Sequence, residues 1–126
     1  MEVATIEKFS DKRGVIMFAS PEILNLPYKY LTVGTIKPGK MRGGHYHKRL
    51  HKKTLCVSGI LGYTLQYHDT DTILTGSLIE GEYIDIPPGY IITFTNIGKT
   101  PAVFIEFKNE EHDENDRFRH IPHSDN

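Results

Sequence analysis

The segment RGGHYHK, residues 42–48, places two histidines two positions apart, next to a pair of glycines. Side chains alternate faces along an extended strand, so His45 and His47 point to one side and Tyr46 points to the other. Imidazole titrates near neutral pH, so such a pair could transfer protons, and it could also bind a metal ion. The alternative is that both are polar surface residues.

Two glycines precede this histidine pair. Gly43 and Gly44 permit an irregular backbone. A β-bulge at this point would bring Arg42 onto the face of His45. The segment therefore predicts a cation beside a potential base.

The elements that must position these residues are short strands. Runs of β-branched and aromatic residues alternate with turn signals such as DKRG, KPGK, HDTD, PPG and NIGK. Only SPEILNLP, residues 20–27, could form a helical turn. We therefore expect an all-β fold, a jelly roll or small β-barrel, with at least eight strands in these runs: EVATIEKF, GVIMFAS, YKYLTVGTI, TLCVSGILGYTLQYH, TILTGSLI, EYIDI, YIITFT and AVFIEF.

The length of the chain, 126 residues, predicts a single domain. We expect a barrel over residues 1–110 and a polar tail over residues 111–126. Fifteen Lys and Arg against sixteen Asp and Glu predict neither nucleic acid nor a membrane as partner. A single cysteine, Cys56, and the lack of a signal-like N-terminus predict a cytoplasmic protein.

Two spaced motifs resemble those of the cupin family. The first comprises Gly39, His45, His47, Lys52 and Gly59, and the second runs from Gly81 through the PPG turn to Ile92 and Asn96. The resemblance covers about Ile36 to Phe107 and implies a β-barrel whose mouth holds the site. It also implies a homodimer.

Only two of the four metal-ligand positions of this family carry a ligand residue in this chain. Metal-binding cupins use two histidines and a glutamate from the first motif and a histidine from the second. Lys52 stands at the glutamate position and Ile92 at the second-motif histidine position. We therefore expect no metal and no other cofactor. The alternative ligand set is His45, His47 and His51, since His51 has the right parity if the strand continues unbroken.

Among metal-free cupins, the chain resembles sugar-nucleotide enzymes. RGGHYHK is similar to the RGxHxHK signature of dTDP-4-keto-6-deoxyhexose 3,4-ketoisomerases, and RGGHY to the RGLHY of dTDP-4-dehydrorhamnose 3,5-epimerases. DKRG, residues 11–14, matches the DxRG found near the start of both groups. His47 favours the ketoisomerases, because the epimerase pattern has Gln there. The PPGYIITFTNIGKTPAVFIEF end instead resembles cupin domains of capsular-sugar enzymes that epimerise C3.

The resemblance implies a reaction and a role for each residue. A base removes the proton next to a ketone of a nucleotide-diphosphate sugar, and a donor stabilises the resulting oxyanion. His45 would be the base, and His47 would be the second proton carrier or the partner of the oxyanion. Tyr30 would contact the sugar or donate a proton, and Arg42 would stabilise the oxyanion or a phosphate.

Arg13 in DKRG has two interpretations of equal weight. It could bind the diphosphate as a planar bidentate partner, or it could pair with an acid near its own turn. Two other functions also stay open for the chain: a metal-binding cupin enzyme that uses His45 and His47, and a non-catalytic cupin that binds a sugar.

Overall fold

The computed structural model describes residues 3–19, 28–111 and 113–119, and within those ranges it contains strands and one 3₁₀ turn. The expected helical turn at residues 20–27 lies outside the described residues. No helix in the described part of the chain is long and apolar enough to cross a membrane. The elements are β1 Val3–Thr5, β2 Glu7–Asp11, β3 Gly14–Phe18, β4 Tyr30–Ile36, β5 Met41–Tyr46, β6 Lys52–Ser58, β7 Leu61–Tyr67, β8 Leu74–Leu78, β9 Glu82–Ile86, β10 Tyr90–Asn96, β11 Ala102–Lys108, the 3₁₀ turn Glu114–Asp116, and β12 Phe118–Arg119.

Two five-stranded antiparallel sheets form the body of the molecule. Their strand orders are β1-β9-β6-β11-β4 and β12-β5-β10-β7-β8. Alternate side chains of both sheets meet in one core. The expected all-β jelly roll is confirmed. The buried core residues are Ile36, Cys56, Leu61, Leu65, Leu78, Ile84, Ile86, Ile92, Phe94, Ala102 and Phe104.

The eight runs of β-branched and aromatic residues all contain strands, and two of the runs are each divided into two strands, whereas β5 and β12 lie outside the runs. The run EVATIEKF is divided at Ile6, which is buried and donates its backbone N–H to the Gly81 carbonyl at 2.7 Å. The run TLCVSGILGYTLQYH is divided at Gly59 and Ile60, where the chain turns from β6 to β7. Turn residues therefore set the ends of these strands.

The β2–β3 hairpin is a separate two-stranded sheet next to the first five-stranded sheet. One of its faces lies over the outer surface of that sheet, where Met17 packs against a cluster formed by Ile6, Leu55 and Phe107. On the other face Phe9 pairs with Ile16, and both are more than half exposed. The hairpin therefore presents apolar residues to solvent.

Residues 113–119 of the polar tail pack against the barrel. Asp113 caps the 3₁₀ turn by accepting the Asn115 backbone N–H, and β12 then pairs with the end of β5. In that pairing Phe118 lies opposite Tyr46 and Arg119 opposite His45. This segment therefore borders the histidine pair.

Candidate active site

A bulge in β5 sets the position of the first histidine. The register between β10 and β5 shifts by one residue, so that Ile92 opposes His45 and Thr93 opposes Gly43. Gly43 has a φ of +118°, and a side chain there would collide with the Ile92 carbonyl oxygen. Only glycine permits this close approach of the two strands.

The bulge brings Arg42 onto the face of His45, as expected, because Arg42 opposes Phe94 and His45 opposes Ile92. The Arg42 guanidinium nevertheless turns away from the histidine. Its Nε donates to the Thr35 carbonyl at 3.1 Å, and the side chain lines a separate cavity with residues of the β4–β5 turn.

Both histidines line one cavity of about 300 Å³ at an end of the barrel. They enter it from one wall, as their spacing predicts. Side chains from β6, β10, β11 and the segment before β12 close the other walls. The lining residues are Gly43, His45, His47, Leu50, Lys52, Ile92, Lys108 and Arg117.

His45 is half-buried and lies next to a guanidinium group. Arg117 places its Nη2 3.4 Å from His45 Nδ1. Burial first, and then the positive charge of Arg117, lower the pKa of His45, while a hydrogen bond to the Gly43 carbonyl acts in the opposite direction. The imidazole is therefore held in its neutral form, which is the form that can accept a proton.

His47 is oriented by the C-terminal segment. Its Nδ1 lies 2.7 Å from the backbone carbonyl oxygen of Asp116. A carbonyl oxygen can only accept a hydrogen bond, so Nδ1 is the protonated nitrogen. When this ring is neutral, Nε2 is its basic nitrogen.

A largely buried acid fixes two ammonium groups in the cavity wall. The Glu106 carboxylate lies 3.3 Å from Lys52 Nζ and 3.6 Å from Lys108 Nζ, and it accepts the Thr54 hydroxyl at 3.1 Å. Burial alone would raise the pKa of Glu106, but Lys52 and Lys108 outweigh it and hold the pKa below its ordinary value. The cavity therefore presents two ammonium groups and one guanidinium, which suit an oxyanion or phosphate.

This donor set does not fit a tightly bound divalent metal ion. Within residues 3–19, 28–111 and 113–119 no group of three or more His, Cys, Asp or Glu side chains could hold a metal ion. Lys52 and Ile92 line the cavity at the positions where metal-binding cupins have ligands. Two imidazoles beside ammonium groups lack both the ligand number and the charge that the ion needs.

The condition under which His51 would share the face of His45 and His47, an unbroken strand, is not met. β5 ends at Tyr46 and β6 begins at Lys52, so the parity argument fails across the intervening turn. His51 Nε2 instead lies 2.6 Å from Asp85 Oδ1. The alternative set of three histidine ligands is therefore not assembled.

The remaining predicted residues lie outside the cavity lining. Tyr30 opposes Lys108 in the β4–β11 ladder, so it occupies the same sheet face as a lining residue. Arg13 donates its Nε to Asp11 Oδ2 at 3.1 Å and is 86% exposed. The structure thus places Arg13 in an ion pair with the acid of its own turn.

Five site residues were not predicted: Lys52, Glu106, Lys108, Asp116 and Arg117. Glu106 and Lys108 carried a usable signal, since they follow the buried Phe104 at intervals of two along β11. A charged residue on the buried face of a strand needs a partner. Asp116 and Arg117 carried no local signal, because their partners lie more than 60 residues earlier.

Comparison with known proteins finds related sugar-nucleotide enzymes. UDP-2-acetamido-2,6-beta-L-arabino-hexul-4-ose reductase of Pseudomonas aeruginosa is 31% identical over 86 residues, which are 63% of this chain and 22% of that protein. The chain thus spans about a fifth of the length of this curated relative.

Two solved structures share the fold. The sugar 3,4-ketoisomerase QdtA of Thermoanaerobacterium thermosaccharolyticum, in complex with TDP, superposes with a TM-score of 0.77 at 22% identity, covering 94% of this chain and 86% of that one. The 3,5-epimerase RmlC of Legionella pneumophila, in complex with dTDP-4-keto-L-rhamnose, gives a TM-score of 0.77 at 15% identity, covering 93% and 70%.

The family model described as the polysaccharide biosynthesis C-terminal domain matches residues 9–118 of this chain. That range contains the bulged strand, the cavity and all but the last residue of β12. The chain belongs to the polysaccharide biosynthesis C-terminal domain family.

Proposed function

We propose that this protein is a cofactor-free isomerase or epimerase that acts on a nucleotide-linked 4-keto-6-deoxy sugar. One observation carries the proposal: two histidines line the same cavity as three cationic side chains. A base beside fixed positive charge is what proton removal next to a ketone requires.

The proposed chemistry begins with a proton on the carbon next to the ketone. His45 accepts that proton, because its lowered pKa keeps the ring neutral. Negative charge then develops on the ketone oxygen, and Lys52 or Lys108 stabilises it as an ammonium already held by Glu106. The ketone itself makes the proton acidic, so the step needs no cofactor.

We favour 3,4-ketoisomerisation over epimerisation. In that reaction His45 takes the C3 proton, exchanges it with solvent and delivers a solvent-derived proton to C4. His47, as the second carrier, takes the proton of the 3-hydroxyl and passes it to the 4-oxygen. A ketone at C4 thereby becomes a ketone at C3, with no net gain or loss of protons. The second histidine and the fold likeness to a 3,4-ketoisomerase support this choice. The alternative, 3- or 3,5-epimerisation, has support from the fold likeness to a 3,5-epimerase.

The substrate class we propose is a nucleotide-diphosphate sugar. Arg117 and Arg119 supply positive charge near His45, and such charge favours a diphosphate. We assign Arg42 to the oxyanion or a phosphate and Tyr30 to the sugar, since each lies on the sheet face of a cavity residue. In this role the Arg42 guanidinium would leave the Thr35 carbonyl and turn towards the histidines. Arg13 could bind the diphosphate if it exchanged Asp11 for that partner.

We also propose a cytoplasmic homodimer. The exposed apolar face of the β2–β3 hairpin supports self-association, because apolar patches on a stable protein are often covered by a partner. The single cysteine, Cys56, is consistent with a reducing compartment.

The proposal is tested with dTDP-4-keto-6-deoxyglucose in deuterated water, followed by NMR. Ketoisomerisation moves the ketone signal from C4 to C3 and places deuterium at C4. Epimerisation leaves the ketone at C4 and places deuterium at C3. His45→Asn should reduce exchange by at least about 10²-fold while nucleotide binding persists. No exchange by the unmodified protein, with this substrate or its UDP analogue, would contradict the proposal and favour a sugar-binding cupin.

His51→Gln separates acid–base chemistry from metal chemistry. His51 lies against Asp85 and outside the cavity lining, so this variant should retain exchange. Loss of exchange in a folded His51→Gln protein, together with a stoichiometric metal in the unmodified protein, would favour the metal-dependent alternative.

A further inference from the structure

Residues 113–119 bind the histidine segment at several points, and we call them the C-terminal clamp. We propose that Asp116 of this clamp is a positioning residue that fixes the tautomer of His47. This inference rests on the proposed function for its catalytic meaning, although the tautomer itself is a property of the protein alone.

The Asp116 carboxylate holds the turn that follows His47. Its Oδ1 accepts the Lys48 backbone N–H at 2.9 Å, and its Oδ2 accepts the N–H groups of Arg49 and Leu50 at 3.1 and 3.3 Å. The residue is only 2% exposed. Three backbone donors thus depend on one buried carboxylate, which makes the turn rigid.

The backbone of the same residue holds the His47 ring. The Asp116 carbonyl oxygen lies 2.7 Å from Nδ1, and the Asp116 N–H donates to the Asp113 carbonyl at 2.9 Å. The side chain therefore ties the clamp to the turn, while the carbonyl of the same residue faces the ring. Moving the carboxylate away from the turn would move the carbonyl away from Nδ1.

The chemical consequence concerns the nitrogen that reacts. A neutral imidazole has one N–H, and donation from Nδ1 makes Nε2 the basic nitrogen. Because His47 lines the cavity, fixing Nδ1–H selects the ring form with its basic atom on Nε2. In the proposed reaction that nitrogen takes the proton of the substrate hydroxyl.

The clamp also contacts the other histidine. Arg117, which directly follows Asp116, approaches His45 Nδ1 to 3.4 Å. The next two residues form β12, with Arg119 opposite His45. One short segment therefore positions both rings, and the carboxylate of Asp116 is its only side chain that is almost fully buried among the described residues.

The test is NMR of protein carrying ¹⁵N-labelled histidine. Long-range ¹H–¹⁵N spectra distinguish a protonated from an unprotonated ring nitrogen, and a His47→Gln variant assigns the His47 signals. In the unmodified protein, His47 should show a protonated Nδ1 and an unprotonated Nε2. The reverse pattern would overturn the proposal without any need for an Asp116 variant.

Two substitutions then test the role of the side chain. Asp116→Asn keeps the shape but weakens the acceptor, and Asp116→Ala removes it. In whichever variant stays folded, the ratio of the Nδ1–H form to the Nε2–H form of His47 should fall by roughly three- to tenfold. This is the change in an equilibrium ratio that the loss of one hydrogen bond produces. An unchanged ratio in a folded variant would refute the assignment of Asp116.

Glu110→Gln is the matched control. Glu110 also pairs with Arg49, at 3.3 Å, but it is not among the acceptors of the Lys48–Leu50 backbone. Its substitution should leave the His47 tautomer unchanged. If the unmodified protein shows the expected His47 tautomer but no deuterium exchange of the substrate, the proposed function is contradicted and the assignment of Asp116 is not.

Discussion

His45 lies in a field of positive charge. Arg117 and Arg119 both lower its pKa, in addition to the larger effect of burial. Two ammonium groups, those of Lys52 and Lys108, line the same cavity. A protonated imidazole is disfavoured in such surroundings, which suits the role of proton acceptor that we propose for this ring.

Activity should therefore persist below the ordinary imidazole pKa of 6.5. The base form of His45 exists above its pKa, and lowering that pKa extends the base form to lower pH. Arg117→Gln removes a nearby cation, so we expect the acidic limb of the kcat/KM profile to shift to higher pH. The profile is measured from deuterium exchange across the acidic range.

Arg119→Gln is the comparison for this shift. Arg119 affects the pKa of His45 in the same direction as Arg117 but less strongly. Its substitution should shift the acidic limb of the kcat/KM profile to higher pH by a smaller amount. A limb that stays in place, or moves to lower pH, in Arg117→Gln would show that His45 is not the titrating base.

Among the individual residues of the site, the sequence predicted the histidine pair but not the side chains around it. His45 and His47 could be found because a two-residue interval along a strand is a local property. Arg117 and Asp116 reach the pair from about 70 positions away, and no local pattern encodes that contact. Arg13 was ambiguous because its acidic neighbour Asp11 is only two residues distant.

At the scale of elements, the bulge in β5 connects the sheet to the site. The two adjacent glycines have different environments. Gly43 lies under the Ile92 carbonyl, whereas a side chain at Gly44 would meet nothing within 4 Å. Both have positive φ, at +118° and +86°, so both favour glycine for backbone reasons.

Gly43→Ala should therefore be more harmful than Gly44→Ala. The Gly44 variant suffers only backbone strain, about 1–2 kcal/mol. The Gly43 variant adds a collision with β10 worth about 1–3 kcal/mol more, and it should also displace His45 and reduce exchange. Urea unfolding gives the two free energies. Equal destabilisation would show that the close approach of β5 and β10 is not required.

The sequence predicted the strands in the β-branched runs because each carries its own pattern and its own turn residues. It did not predict β12, which has only two residues and no alternation. Its existence depends on pairing with β5, far away in the chain. Short strands of this kind are fixed by tertiary contact rather than by local preference.

At the scale of the whole molecule, the hairpin and the edge strand β4 expose apolar side chains. Phe9, Ile16 and Phe18 lie on the outward hairpin face, and Leu31 and Val33 lie on β4. β4 forms an edge of its sheet, with β11 as its neighbour. A hairpin of two strands is only marginally stable by itself, so burial of its exposed apolar face against another surface would stabilise it.

We expect Ile16→Glu to weaken the proposed dimer. A charge in an apolar interface must be desolvated, so the sedimentation coefficient should fall towards that of a monomer. Ile97→Glu is the matched control, since Ile97 is 60% exposed against 56% for Ile16 and lies outside the hairpin and β4. A monomeric unmodified protein at micromolar concentration would contradict the dimer.

The C-terminal clamp also has a consequence for synthesis on the ribosome. Strands β1 to β11 are complete at Lys108, but the groups that orient both imidazoles reside at Asp116 and Arg117. A nascent chain can thus close its hydrophobic core before the groups proposed for proton transfer are aligned. The proposed chemistry requires that the 3₁₀ turn at Glu114–Asp116 has also left the exit tunnel.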